Sequence, residues 1–241
     1  MRIIIVRHGD PDYANDSLTE KGWKEARLLA EQLSKTELTH IYVSPYGRAQ
    51  ATASCTLEKL NTTAETLEWM KEFEPRIRRP DRLIGRTRAW DWMPEDWSEK
   101  DHFYSYENWA SDPIMQEAHV KEEYDRVCKG LDELLAKHGY RHEGRLFKVT
   151  QGNHDTLCLF CHFGVEMVMI SHLLHISPMP LWHGFVASPT GVTVIHSEER
   201  QKGIASFRIQ TFGDLSHLYQ NNEEPSFAAR FCECFEDETK H

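Results

Sequence analysis

The hydrophobic positions change period several times along the chain, and each change marks an element. Ile3-Ile4-Ile5-Val6 is an unbroken apolar, β-branched run, the pattern of a strand buried on both faces. From about residue 19 to 34 the spacing becomes helical. Trp23, Ala26, Leu29, Ala30 and Leu33 fall on one stripe, with charged residues on the other side. Residues 39–43 predict a second strand. A helix follows from Pro45 to about Lys59, with the proline in the first turn, where it is tolerated. Residues 66–70 predict a third strand. Helical spacing returns over 120–137 through Tyr124, Val127, Leu131, Leu134 and Leu135, with Gly139 as a stop. Residues 146–150 and 156–161 read as strands and 163–174 as a helix. Residues 192–196 and 204–210 read as a hairpin turning at Gln201-Lys202-Gly203.

Strands alternating with helices predict an α/β fold: a three-layer sandwich with a mainly parallel central sheet, helices on both faces and at least one antiparallel edge. Residues 1–220 are expected to form one α/β domain. Between 74 and 118 the periodicity fades and prolines accumulate, so this stretch reads as an inserted lid. Its alternative is an irregular flap whose tryptophans bury themselves. Residues 221–241 carry six acids against two Lys/Arg and read as a solvated acidic tail.

Composition narrows the function. The 241 residues hold 28 Lys/Arg and 38 Asp/Glu, a net charge of −10, which opposes a general nucleic-acid or anionic-membrane binder. No apolar run reaches membrane-spanning length, and His162 and Glu166 interrupt the most apolar stretch. Six cysteines spread through a large chain, with too short an apolar start for a secretory leader, predict reduced thiols and a cytoplasmic protein. One region reverses the acidic balance. Residues 76–88 contain six arginines and one aspartate, and Trp90, Trp92, Trp97 and Trp109 follow, four of the seven tryptophans. That run predicts a lid that reads negative charge on a substrate beyond a first phosphate. Its alternative is pairing of these arginines with the acids of 91–101 or of the C-terminal tail.

Reactive residues gather where strands end. Arg7-His8-Gly9 follows the first strand, Ser44-Pro45-Tyr46-Gly47-Arg48-Ala49 the second, and Cys161-His162-Phe163-Gly164 follows another and opens a helix. In open α/β sheets the ligand crevice lies beyond those carboxyl ends. Two arginines, two histidines and helix N-termini suit a tetrahedral anion, because guanidinium forks match phosphate oxygens. A neutral imidazole can attack phosphorus and form a covalent intermediate. The glycine after His8 is expected to let the backbone approach the ligand.

Arg7-His8-Gly9, then Ser44-Pro45-x-x-Arg48-Ala49-x-x-Thr52-Ala53, then Cys161-His162-Phe163-Gly164, in this order, resemble the histidine phosphatase superfamily. That group includes cofactor-dependent phosphoglycerate mutases and many small-molecule phosphatases. The resemblance implies a metal-independent phosphatase acting on a small phosphomonoester, with His8 as the phosphorylated nucleophile. It implies that Arg7, Arg48 and His162 hold the phosphoryl oxygens, with no cofactor. An acid after the third strand is also implied. Met70-Lys71-Glu72 fits the family's spacing, so Glu72 is the expected proton donor, with Glu74 as competitor. Lys71 would favour the charged form, so burial or the phosphate must raise the Glu72 pKa. Two departures stand out: Pro11 and Ala14 replace the polar residues usual after the first motif, and Phe163 replaces a glycine and narrows the pocket. Transfer to an acceptor, or phospho-ligand binding without turnover, are the alternatives on the same scaffold.

Other signals are weaker. Cys158 and Cys161 are three apart in a strand and should face opposite sides. His172 and His175 are three apart on a helix, with no carboxylate close in sequence to complete a metal motif. His138, His142 and Glu143 are expected in a loop facing water.

Overall fold

Strand β1 (Arg2–Arg7) lies inside an eight-stranded sheet. The computed structural model describes residues 1–226, 232 and 234–237. Across the sheet the order is β5 (Glu65–Thr66), β4 (His40–Val43), β10 (Thr156–Cys161), β1, β11 (Val192–Gln201), β12 (Ile204–Asp214), β9 (Leu146–Val149) and β8 (Tyr140–Glu143). The four strands from β5 to β1 are parallel, and β11, β12, β9 and β8 continue as an antiparallel wing. This is the expected mixed α/β sheet with a parallel core.

Alternation along the central strands builds two cores. Ile4, Val6, Cys158 and Phe160 pack with Leu29 and Leu33 of α1 (Glu20–Leu33) and with Ala49 and Ala53 of α2 (Gly47–Leu60). Ile3, Ile5, Leu157, Leu159 and Cys161 face the other way. They pack with α5 (Val120–Lys137) and α6 (Phe163–Leu174). Each large aliphatic side chain buried in this way contributes roughly 1.5–3 kcal/mol. The two cysteines accordingly sit on opposite faces. Thr19 caps α1, its hydroxyl accepting from the Gly22 amide at 3.0 Å.

Several local expectations shift. Pro45 lies outside α2, which begins at Gly47 behind Tyr46. Strand pairing of the third strand stops at Thr66, because β5 is a sheet edge. Glu68–Met70 tightens into a 3₁₀ turn that buries Met70. The 192–210 hairpin runs longer at both strands. Residues 140–143 are a strand rather than a loop. The polar sequence Tyr-Arg-His-Glu hides this; the strand pairs with β9, buries Tyr140 in the core and bonds Asp132 through His142.

Residues 74–118 form a two-stranded ribbon, β6 (Arg76–Ile77) with β7 (Thr87–Arg88). They continue as α3 (Pro94–Ser98), two 3₁₀ turns and α4 (Pro113–Glu117). Trp92, Phe103, Trp109 and Met115 are buried in the same cluster as α5 and α6. A second ribbon, β2 (Pro11–Asp12) with β3 (Ser17–Leu18), follows β1. After α6 come α7 (Pro178–Gly184) and, beyond the hairpin, α8 (Ser216–Tyr219). The tail does not begin in solvent. Glu223 pairs with Lys21 and Lys24, and the Ser226 amide donates to Glu25 at 2.9 Å, so acids and bases of α1 dock it. The rest of the acidic tail lies largely outside the described residues. No described helix is long and apolar enough to cross a membrane.

Candidate active site

Three neighbouring parallel strands deliver the three motifs to one edge. The ladder extends past the strands as they leave the sheet. The His8 amide donates to the Cys161 carbonyl at 3.0 Å, and the Ser44 amide to the Phe160 carbonyl at 2.9 Å. Arg7-His8, Ser44 and His162 are therefore side by side by register. The His8 and His162 rings lie 5.1 Å apart between centroids.

His8 is buried. Its Nδ1 is 2.8 Å from the Gly9 carbonyl oxygen, which can only accept, so the proton sits on Nδ1 and the lone pair on Nε2. Burial, and then the adjacent Arg7 guanidinium, hold His8 well below the ordinary imidazole range. His162 is lowered in the same way by burial, then by His8 and the two arginines. Its Nε2 meets the Ser44 hydroxyl at 2.8 Å.

Gly9 is required for a reason other than ligand approach. A Cβ there would lie 2.9 Å from the Gly22 carbonyl oxygen, so the glycine lets the loop after β1 pack on α1. The Gly9 amide donates to the Thr52 hydroxyl at 2.9 Å, which in turn donates to the Arg48 carbonyl at 2.8 Å. The Thr-Ala end of the second motif thus ties α2 to the His8 loop.

Arg48 is buried at the start of α2. Its Nη1 donates to Asp16 at 2.8 Å, and the same carboxylate accepts from the Gly47 amide at 2.6 Å. Asp16 was not singled out from the sequence, because nothing local marks which acid of an acidic loop will turn inward. Asn15 instead bonds Asp12 on the surface. Arg7 donates to the Ala187 carbonyl, and its guanidinium lies 5.9 Å from the Phe163 ring centroid. Arg7 Nε, Arg48 Nε and His162 Nδ1 are buried without a hydrogen-bond partner among the described residues. Buried polar atoms are normally satisfied, so three orphans around one point mark a place for a polar ligand.

The two candidate acids separate. Glu72 lines the cavity with Arg7 and Arg48. Its Oε1 accepts from the Phe73 and Val165 amides at 2.7 and 3.1 Å, and burial is the leading cause of its raised pKa. Lys71 does not oppose this, since it pairs with Glu68 at 2.6 Å. Glu74 accepts from the Tyr46 hydroxyl at 2.6 Å and pairs with Arg88 at 2.9 Å. Gly164 makes the Glu72 position possible. A Cβ there would stand 2.6 Å from Glu72 Oε1 and 2.7 Å from Trp90 Nε1.

A cavity of about 650 Å³ is lined at its base by Arg7, Arg48 and Glu72, with His8 and His162 buried behind that lining. Phe163 lies on its wall, as expected. Of the arginine-rich run, Arg88 alone lines it. Arg79 is buried against Asp81 at 2.9 Å and Asp91 at 3.2 Å, and Arg78 is exposed. The alternative reading of that run, pairing with nearby acids, holds for Arg79. A further residue went unnoticed as chemistry. Glu166, the lone acid in the first turns of the apolar α6, is fully buried, and among the described residues neither of its oxygens meets a donor at hydrogen-bond geometry. Burial pushes its pKa up to about 7.

Two groups could hold a metal ion among the described residues, and neither lines the cavity. Asp132, His142 and His172 converge from α5, β8 and α6, with Asp132 at 2.8 Å from His172 Nε2 and 3.3 Å from His142 Nδ1. His172 therefore does have a carboxylate, supplied by an element forty residues away. The second group is His40, His138 and Asp155. His138 is buried rather than facing water, with Nε2 2.8 Å from the Tyr42 hydroxyl.

An imidazole pair at the ends of parallel strands thus lies beside two buried guanidiniums, one ending β1 and one opening α2. The chain belongs to the histidine phosphatase superfamily (branch 1), whose sequence pattern it matches over residues 3–210, and it is an enzyme of the phosphatase class. Among curated proteins it is 26% identical over 223 residues to phosphoserine phosphatase 1 of Hydrogenobacter thermophilus, spanning 87% of this chain and 92% of that protein. Two solved structures share the fold. The Entamoeba histolytica phosphoserine phosphatase in complex with 3-phosphoglyceric acid has a TM-score of 0.59 at 21% identity, covering 90% of this chain and 98% of that one. A mycobacterial glucosyl-3-phosphoglycerate phosphatase has a TM-score of 0.58 at 20% identity, covering 88% and 98%.

Proposed function

We propose that this phosphatase hydrolyses a small phosphomonoester through a phosphohistidine on His8, without a metal or other cofactor. The observation that carries the reading is the His8 tautomer. With Nδ1–H given to the Gly9 carbonyl, Nε2 presents its lone pair, and the depressed pKa keeps the ring neutral at neutral pH.

Nε2 attacks phosphorus, a P–N bond forms and the ester P–O bond breaks. Arg7 and Arg48 balance the charge on the equatorial oxygens, and His162 contributes its free Nδ1. Glu72, whose pKa burial raises, gives its proton to the leaving alkoxide. The resulting carboxylate then takes a proton from water as that water attacks the phosphohistidine. The P–N bond breaks, phosphate leaves, and His8 and Glu72 return to their starting states. The two guanidiniums supply the charge neutralisation that a metal provides elsewhere. The reading of its cysteines as reduced thiols supports a cytoplasmic setting.

Rapid-quench labelling with a ³²P-phosphomonoester tests this. A stoichiometric, acid-labile label on the wild type, absent together with turnover in His8→Ala, is the expected result. Near-normal hydrolysis by His8→Ala overturns it.

A further inference from the structure

The outer cavity differs in chemistry from its floor. Tyr13, Trp90, Trp92, Phe163, Trp182 and Phe185 contribute aromatic surface to it. These residues come from four separate stretches of chain; core packing takes most of Trp92, Trp182 and Phe163, and leaves Trp90 half-buried and the rim residues open. Tyr13 is 70% exposed and Phe185 44%, and Val186 beside it is 38% exposed. Apolar side chains left open at the mouth of a cavity that also carries convergent polar groups suit an apolar ligand.

The charged groups in the same wall are already matched. Arg88 pairs with the Glu74 carboxylate at 2.9 Å and also donates to the Glu74 carbonyl at 3.3 Å. Asp91 takes Arg79 at 3.2 Å on one oxygen and the Thr87 hydroxyl on the other. A carboxylate on the leaving group that reached Arg88 would share it with Glu74 and sit near Asp91, two carboxylates that oppose it. Beyond the phosphoryl floor, the wall therefore offers ring faces and no unmatched cation. This reverses the expectation that the arginine-rich run reads a second negative charge.

We propose that the physiological substrate is a phosphomonoester of an aromatic or similarly planar apolar alcohol, whose ring is taken up between Trp90 and the Tyr13–Phe185 rim, over the edges of the buried Trp92 and Trp182. The inference rests on the proposed reading of the floor. Ring stacking and edge-to-face contacts supply the recognition, and burial of the ring excludes water from the leaving oxygen. Binding energy from this remote group is then available to orient the ester toward His8.

The test must not confuse recognition with leaving-group acidity, so all substrates are esters of primary or secondary alcohols. Wild-type kcat/KM is measured for 2-naphthylmethyl phosphate, phosphoserine, 3-phosphoglycerate and phosphocholine. The ³²P label on the protein is quantified for each. The expected result is kcat/KM at least about tenfold higher for the naphthylmethyl ester than for the other three, carried mainly by KM. In Phe185→Ser that advantage should shrink several-fold. Phosphoserine or 3-phosphoglycerate equal to or better than the naphthylmethyl ester overturns the inference. So does phosphocholine as the best substrate, because that marks a cage for a cation. In either case a label on His8 leaves the proposed chemistry standing. Hydrolysis without any label on His8 is instead the failure of the proposed chemistry.

Discussion

The floor and the wall of one cavity are built in opposite ways. The floor comes from three adjacent strand ends, each followed at once by its reactive residues, so backbone register alone brings Arg7, His8, Ser44 and His162 together. The wall comes from residues 88–92, 182–186 and Tyr13, brought together by side-chain packing between segments distant in sequence. The floor is cationic with unmet polar atoms. The wall is aromatic with its charges paired. Chemistry is thus fixed by the regular part of the fold, and selectivity is left to the irregular part.

The largest separation between the two regions is expected on replacing the acid between them. Glu72→Gln should slow esters with poor leaving groups by roughly 10²–10⁴-fold, the usual worth of general acid catalysis, and esters of acidic phenols much less. Equal losses across leaving groups, measured as kcat under single-turnover conditions, would remove Glu72 from that role. Gly164→Ala probes the seam itself, since the new Cβ would meet Glu72 Oε1 at 2.6 Å and Trp90 Nε1 at 2.7 Å. Displacing both by a fraction of an ångström should cost about 10- to 100-fold in kcat while the fold survives, as circular dichroism would report. Unchanged kcat would mean that the floor does not depend on that close approach.

Stability should divide along the same line. Glu166 lies behind the floor, and its pKa is raised from 4.5 to about 7. A carboxyl raised on folding is disfavoured when ionised. The stability it lends is present below the unfolded-state value and is lost as pH climbs toward 7. Glu166→Gln should remove that loss, gaining roughly 2–4 kcal/mol over wild type at pH 8 relative to pH 5. A pH-independent difference in denaturant midpoints would contradict this. In the wall, Arg79→Gln should lower stability by about 1–2 kcal/mol, because it leaves Asp91 and Asp81 without their guanidinium. Arg78→Gln, on the exposed side of the same ribbon, should leave both stability and kcat/KM within about twofold. An equal effect of the two would return the arginine run to substrate reading.

What the sequence discloses follows this division. The helix over 120–137 is legible because it buries a periodic apolar face, and the central strands and the helix over 163–174 because they are apolar and buried nearly throughout. The floor is legible because its residues abut those strands. Partners that arrive from elsewhere are not legible. Asp16 turns in to Arg48 from a loop of several acids, and Asp132 reaches His172 from another helix. The strand over 140–143 is invisible because Tyr140 is its one buried core residue, and its other support is pairing to β9 and the His142–Asp132 bond. The arginine run meets the same limit at Arg79, whose partners Asp81 and Asp91 do not stand out in the sequence. Whether a cation reads a ligand or a neighbouring carboxylate depends on contacts that charge counting does not contain.

The central claim is that Nε2 of His8 takes the phosphoryl group while Nδ1 stays bonded to Gly9. Trapping the intermediate by rapid quench and locating phosphorus on the ring by ³¹P–¹⁵N correlation tests it directly. The account predicts phosphorus on Nε2 of His8 in stoichiometric amount. Phosphorus on Nδ1, on another residue or on none during turnover would contradict it.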